Sequence, residues 1–217
     1  MILSELKKNI SLAKMAADGL LVLTAKKRAQ VLLRLADLLL SRAKEIIAAN
    51  HQDALSARRA GQAESFIERL ELDYKKIKAM AGSIKSIAKF KDNLFEIIET
   101  RRPTSGLLIK KVRYPLGLIA LIYESRPNVT VDAFALAFKS GNAILLKGGR
   151  EIKHTNKILV KLIKKSLARE KINGQVVSDL SGIDKKMISE LLTNRNIDCL
   201  IPRGGKNLIN FVAAHAK

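Results

Sequence analysis

From residue 116 onward the chain alternates between short apolar runs and amphipathic segments, and this alternation restricts the possible folds more than any other feature. Leu116 to Tyr123 is almost wholly apolar, as a strand buried on both faces is. Asn128 is placed to cap a helix over Val129 to Lys139, Gly141 to end it, and Ala143 to Leu146 reads as a second buried strand. The unit then recurs. His154 to Arg169 has helical periodicity, Gln175 to Asp179 is strand-like, Lys185 to Leu192 is helical, Ile197 to Ile201 is strand-like, and helix returns from Lys206. Connections this short imply right-handed crossovers and a mostly parallel sheet covered on both faces. The expected class is therefore α/β, a doubly wound Rossmann-like sheet. In such sheets a ligand sits beyond the carboxyl ends of the strands, so the residues just after each strand are the informative ones.

The first hundred residues have a different rhythm. Val31, Leu32, Leu35, Leu38 and Leu39 share one helical face, with Arg28, Arg34 and Asp37 expected opposite. A second helical block runs from Ser65, a candidate N-cap, through Ile67, Leu70, Tyr74, Ile77 and Met80, with Asn50 and Gly61 punctuating the joins. Leu107 to Arg113 mixes apolar and basic residues and suits a half-exposed strand. The expected division is a helical region over 1–105 and a nucleotide-binding domain over 106–217.

Composition excludes several classes. The longest apolar runs are shorter than the ~20 residues a membrane helix needs, and Met1 to Leu20 lacks the compact apolar core of a signal peptide. The single cysteine, Cys199, has no intramolecular partner for a disulfide, which leaves a cytoplasmic location as the default. The formal net charge of +20 raises nucleic-acid binding as a hypothesis. Against it, the basic residues are dispersed as pairs such as Lys26-Lys27, Lys75-Lys76, Lys164-Lys165 and Lys185-Lys186, and only 4% of residues are aromatic, so platforms for base stacking are scarce. A lysine-rich solvated surface is the plainer reading. His51, His154 and His215 lie far apart without metal-ligand spacing, so no metal site is expected.

Three turns at strand ends carry the chemistry. The first, Glu124-Ser125-Arg126-Pro127-Asn128, lacks the G-x-G-x-x-G pattern that lets backbone amides approach a pyrophosphate. Pro127 and Asn128 are explained by starting a helix, which leaves the charged pair Glu124 and Arg126 without a structural reason. The second turn is Lys147-Gly148-Gly149-Arg150, where the glycines permit close backbone approach, Lys147 offers a point charge and Arg150 a planar fork, a set suited to a 2'-phosphorylated ribose. The third, Arg203-Gly204-Gly205, opens the last helix, where free amides and the helix dipole favour an anion. Each also has a plain reading as a surface loop or a strand-to-helix turn. Cys199 sits within an apolar strand and is expected to be a small buried hydrophobe, not a nucleophile.

These motifs resemble those of the gamma-glutamyl phosphate reductases, also called glutamate-5-semialdehyde dehydrogenases, within the aldehyde dehydrogenase superfamily. The resemblance rests on Tyr114-Pro115-Leu116-Gly117, Ile122 through Asp132, Gly141-Asn142-Ala143 through Gly148-Gly149, and Leu200 through Gly205, with Asn50 to Asp53 and Ala57 to Gly61 upstream. It covers nearly the whole chain. That family reduces L-glutamyl 5-phosphate with NADPH to L-glutamate 5-semialdehyde, the second step of proline synthesis, so NADP(H) and that phosphate are the cofactor and substrate implied. By similarity, Lys147 meets the adenosine ribose, Gly204 and Gly205 the pyrophosphate, and Ile122, Tyr123, Glu124 and Ser125 the nicotinamide side, with Gly148, Gly149 and Arg203 as further candidate cofactor contacts. Arg126 and Asn128 become candidate substrate contacts. Ser125 stands where many relatives place an oxyanion-steadying Asn, and its hydroxyl is shorter.

The superfamily's nucleophilic Cys lies on a catalytic domain following the Arg-Gly-Gly turn, and no residue of this chain matches it, so the catalytic set is expected to be empty here. Helical register persists to Lys217, which implies a truncated or split form with a complementing catalytic-domain chain, and the intact family implies a homo-oligomer. Two alternatives differ in class: a non-catalytic NADP-binding or assembly module, and a basic nucleic-acid-binding protein. Semialdehyde dehydrogenase activity on mixing with a downstream product separates the enzyme from the module, and a steep salt dependence in a gel shift would mark the third.

Overall fold

The structure, a computed structural model, describes residues 2–183 and 185–216. Five helices come first: α1 Leu3–Asp18, α2 Ala25–Ser41, α3 Ala43–Arg59, α4 Glu64–Leu70 and α5 Tyr74–Ala88. Local chemistry sets their starts. Thr24 accepts from the Lys27 amide at 3.2 Å to cap α2, and Asp73 accepts from the Lys76 amide at 2.6 Å to cap α5. Val31, Leu32, Leu35, Leu38 and Leu39 bury the apolar face of α2 as expected.

Arg28 does not lie opposite that face. It is 3% exposed, because its two terminal nitrogens donate to the Leu23 carbonyl at 2.5 Å and to Asp92, whose carboxylate balances a charge that periodicity alone places in water. Asn50, expected at a join, is buried inside α3, where a carboxamide serves both polarities: it accepts from the Leu72 amide at 2.6 Å and donates to the Leu70 carbonyl at 2.9 Å. Ser65 is not a cap, and the expected second block is split into α4 and α5 by the residues that Asn50 clasps.

Two strands follow, β1 Ile97–Arg101 and β2 Ile109–Val112, paired antiparallel as an exposed ribbon. β1 falls where helix was expected. The parallel sheet comprises β3 Leu118–Tyr123, β4 Ala143–Lys147, β5 Val177–Asp179 and β6 Cys199–Arg203, in the order β5-β4-β3-β6. Its crossovers are α6 Asn128–Lys139, α7 Lys153–Arg169 and α8 Lys185–Thr193, and α9 Lys206–His215 follows β6. Residue 127, not Asn128, is the cap position of α6; the Asn128 amide donates to Asp132 at 3.1 Å instead. Every residue of β3 and β4 is buried, which is why those runs read as continuously apolar. Among the described residues no helix is long and apolar enough to cross a membrane.

One buried cluster runs through the amino-terminal helices and the sheet. α1 packs against β3, β4 and β5 on one face, while α6 and α7 cover these strands on the other. Polar ties fix these layers. At the amino end of β6 the Asp198 carboxylate accepts from the Leu118 amide at 2.7 Å and from Lys14 Nζ at 2.7 Å, joining β3, β6 and α1. Burial pushes this carboxyl up, but the amide and the ammonium outweigh it and hold its pKa below the ordinary Asp value.

On α3, Asp53 is 2% exposed and accepts from the His154 and Thr155 amides at 3.1 and 2.8 Å and from the Thr155 hydroxyl at 2.6 Å. It caps α7 from another helix. Asp53→Ala strands two amides at a buried helix start, and the expected loss is about 2–3 kcal/mol. Thermal unfolding followed by circular dichroism is expected to show Tm falling by roughly 5–10 °C.

Candidate active-site rim

The chain runs β3, β4, β5 in one direction across the sheet and then returns to place β6 on the other side of β3. The order reverses between β3 and β6, and crevices for ligands open at the carboxyl ends of strands at such a switch point. The register brings Tyr123 opposite Arg203 and Lys147 opposite Ile122, so the turns after β3, β4 and β6 start level with one another. A cleft of about 370 Å³ opens there, lined by Tyr123, Glu124, Ser125, Arg126, Arg203 and Gly204 together with Phe66 and Arg69 of α4. A larger hollow of about 640 Å³ lies at the opposite end of β3, beneath Tyr114, Leu116 and Asn142, away from the strand ends where parallel sheets bind ligands.

The three turns touch. Glu124 Oε1 accepts from the Gly205 amide at 2.9 Å, at the first turn of α9. A free helix start attracts an anion because its amides lack partners, and here the protein's own carboxylate takes that place. A Cβ on Gly204 would lie 2.6 Å from the Glu124 carboxyl carbon, so glycine is what permits this approach. From the other side, Ser125 Oγ donates to Glu151 at 3.3 Å, and a Cβ on Gly149 would come 3.3 Å from that hydroxyl. The structure thus gathers Glu124, Ser125, Gly149, Gly204 and Gly205 at one rim.

Other expected residues support the rim from below. Ile122 is buried against Leu192 and Val212. Tyr123 closes a ring of buried side chains: its hydroxyl lies 2.7 Å from Thr130 Oγ1, Thr130 donates to Asn156 Oδ1 at 2.6 Å, and Asn156 Nδ2 returns to the Tyr123 oxygen at 3.0 Å. Burial, above all, raises the Tyr123 pKa well past the usual phenol value, so it remains a neutral donor. Gly148 rests on this ring, where a Cβ would lie 2.3 Å from Asn156 Nδ2.

Lys147 is only 9% exposed and donates to the Gly148 carbonyl at 2.7 Å. Burial first, and then the neighbouring Arg150 charge, lower its pKa. Arg126 lines the cleft with its guanidinium exposed, and Asn128 stands beyond it, turned toward Asp132. Cys199 is half-buried opposite Ile119 at the amino end of β6. Arg203 lies four residue steps further along the strand, about 13 Å at the rise of a parallel strand. Arg69 was invisible to sequence reasoning, because a lone Arg on a short amphipathic helix carries no signal until α4 is seen packed beside the strand ends.

Residues 3–217 match the aldehyde dehydrogenase family. A gamma-glutamyl phosphate reductase from Alkaliphilus oremlandii is 40% identical over 204 residues, covering 94% of this chain and 49% of that protein. The crystal structure of a gamma-glutamyl phosphate reductase from Thermotoga maritima superposes with a TM-score of 0.94 at 37% identity, covering 98% of this chain and 52% of the other. That from Saccharomyces cerevisiae gives 0.89 at 29% identity, with 97% and 54% covered. The chain spans about half the length of the curated relatives it matches.

Gly148→Ala forces a methyl into the ring under the rim, and the expected cost is about 1–3 kcal/mol. Gly82→Ala is the matched control: nothing lies within 4 Å of its Cβ position in α5. There alanine favours the helix by roughly 0.5–1 kcal/mol. Denaturant titration is expected to move the two midpoints in opposite directions.

Proposed function

The chain belongs to the aldehyde dehydrogenase family, and on that premise we propose that it binds NADP(H) across the carboxyl rim of its parallel sheet, as the cofactor-holding part of a cytoplasmic enzyme that reduces L-glutamyl 5-phosphate to L-glutamate 5-semialdehyde for proline synthesis. The observation that carries this reading is the carboxylate of Glu124 on the Gly205 amide at 2.9 Å. A cradle that already holds one oxyanion at the switch point has the donors a pyrophosphate needs, and Gly204 and Gly205 leave room for it. Pyrophosphate binding there requires Glu124 to swing aside.

The Lys147 to Arg150 turn then faces the adenosine ribose, with Arg150 exposed and Lys147 ready to exchange the Gly148 carbonyl for a 2'-phosphate. Ser125 and Glu124 border the nicotinamide side, where the bound cofactor supplies hydride to the acyl carbon. Tyr123, Thr130 and Asn156 hold that border rigid. The distance of Cys199 from the rim argues that the attacking thiol comes from the remainder of the enzyme, which the half-length coverage of the relatives accommodates.

Fluorescence titration of the purified chain with NADPH and NADH tests the reading. Lys147→Ala and Arg150→Ala are each expected to weaken NADPH about tenfold, some 1.4 kcal/mol, with a smaller effect on NADH. Equal losses for both cofactors would reject the assignment of this turn to the 2'-phosphate.

Glu124→Gln removes the resident carboxylate while keeping a side chain of the same shape. It is expected to tighten NADPH severalfold by relieving competition for the Gly205 amide. Weaker binding in this variant would mean that Glu124 helps to hold the cofactor, contrary to this reading.

A further inference from the structure

A second cleft of about 530 Å³ adjoins the first, and the two share the side chains of Arg69 and Arg126 as a common wall. Its floor is apolar, with Leu72 and Met80, and its far side carries Asp132. Asp132 is held in position by neutral donors only: Ser83 Oγ donates to Oδ1 at 3.1 Å and Asn128 Nδ2 to Oδ2 at 3.1 Å. In a chain with twice as many basic as acidic residues, this carboxylate pairs with no cation among the described residues. Among the described residues neither Arg69 nor Arg126 pairs with a carboxylate. Glu68, Glu71 and Lys76 also line it, but Glu71 pairs with Arg58 and Lys76 Nζ donates to the Glu68 and Glu71 carbonyls, which leaves Arg69, Arg126 and Asp132 as opposite charges in one small cleft that do not neutralise each other.

We infer that this cleft recognises the zwitterionic head of an α-amino acid, its carboxylate taken by Arg126 with Arg69 and its ammonium by Asp132. Guanidinium forks suit a carboxylate in two-point contact, and a fixed carboxylate suits an ammonium. Leu72 and Met80 give the methylene chain an apolar surface. A polyanion is disfavoured because Asp132 repels it, and a simple dicarboxylate leaves Asp132 unanswered. Because Arg126 belongs to both clefts, an amino acid gripped here extends its side chain toward Ser125 and Glu124. The inference rests on the proposal that the rim holds the cofactor and the reacting carbon, and it assigns recognition of the glutamyl end to Arg69 and Asp132.

Isothermal titration of the intact chain with L-glutamate, glutarate and 4-aminobutanoate tests it, with NADPH titrated separately and circular dichroism confirming that each variant folds. Glutarate lacks the ammonium and 4-aminobutanoate lacks the α-carboxylate; both are expected to bind at least tenfold more weakly than L-glutamate. Asp132→Asn is expected to weaken L-glutamate about tenfold and leave glutarate unchanged, whereas Arg126→Gln weakens both and spares 4-aminobutanoate. Arg69→Gln follows the Arg126 pattern. Absence of L-glutamate binding, or equal binding of the three compounds, overturns the inference, and retained NADPH binding in that case leaves the rim proposal standing. Selective L-glutamate binding with no NADPH binding supports this cleft and rejects the rim proposal.

Discussion

The carboxyl rim of the sheet depends on one strand, β3, having parallel neighbours on both sides, one from the next strand in the chain and one from the last. β3 pairs with β4 through Leu118 to Ile122 and with β6 through Ile119 to Tyr123. Because both pairings are parallel and nearly in step, three turns end at one level, and side chains from distant parts of the sequence meet without any loop reaching far. A one-residue slip of β6 would move Gly205 away from Glu124 and turn each inward residue of that strand outward. The register is pinned at the other end by Asp198, whose carboxylate grips both the start of β3 and Lys14 of α1.

The helices before the sheet belong to the same mechanical unit. α1 covers β4, α3 reaches across to cap α7 through Asp53, and Asn50 on the same helix clasps the link between α4 and α5. That clasp sets where α4 ends, and α4 supplies Phe66 and Arg69 to the rim. Buried polar side chains thus transmit the position of the sheet to residues that never touch it. Both polar atoms of Asn50 and of Asp53 have hydrogen-bond partners, which is the condition under which buried polar groups rigidify a core.

Much of this was legible in the sequence because parallel strands covered on both faces leave unbroken apolar runs, and those runs located β3 and β4 within two residues. The turns at their ends followed directly. What escaped was set by tertiary partners. Arg28 and Asn50 looked like surface or boundary residues because periodicity does not know that Asp92 or the Leu72 amide awaits them. β1 was missed because its Ile97–Arg101 stretch is exposed throughout and shows no burial pattern to read. At the rim, the strand-end glycines were found as turn residues, but their closeness to Glu124 and Asn156 depends on strand order, which local pattern does not encode.

The ring of Tyr123, Thr130 and Asn156 has one more chemical meaning. Each hydroxyl in it gives its proton to the next member and receives one in return, so neither oxygen has a hydrogen or a free role to lend outward. A phenol beside a cleft is ordinarily a candidate proton donor, yet this one is locked into a closed circuit and kept neutral by its surroundings. The Tyr123 phenol therefore has no proton to offer at this edge of the sheet and acts as masonry beneath the turns.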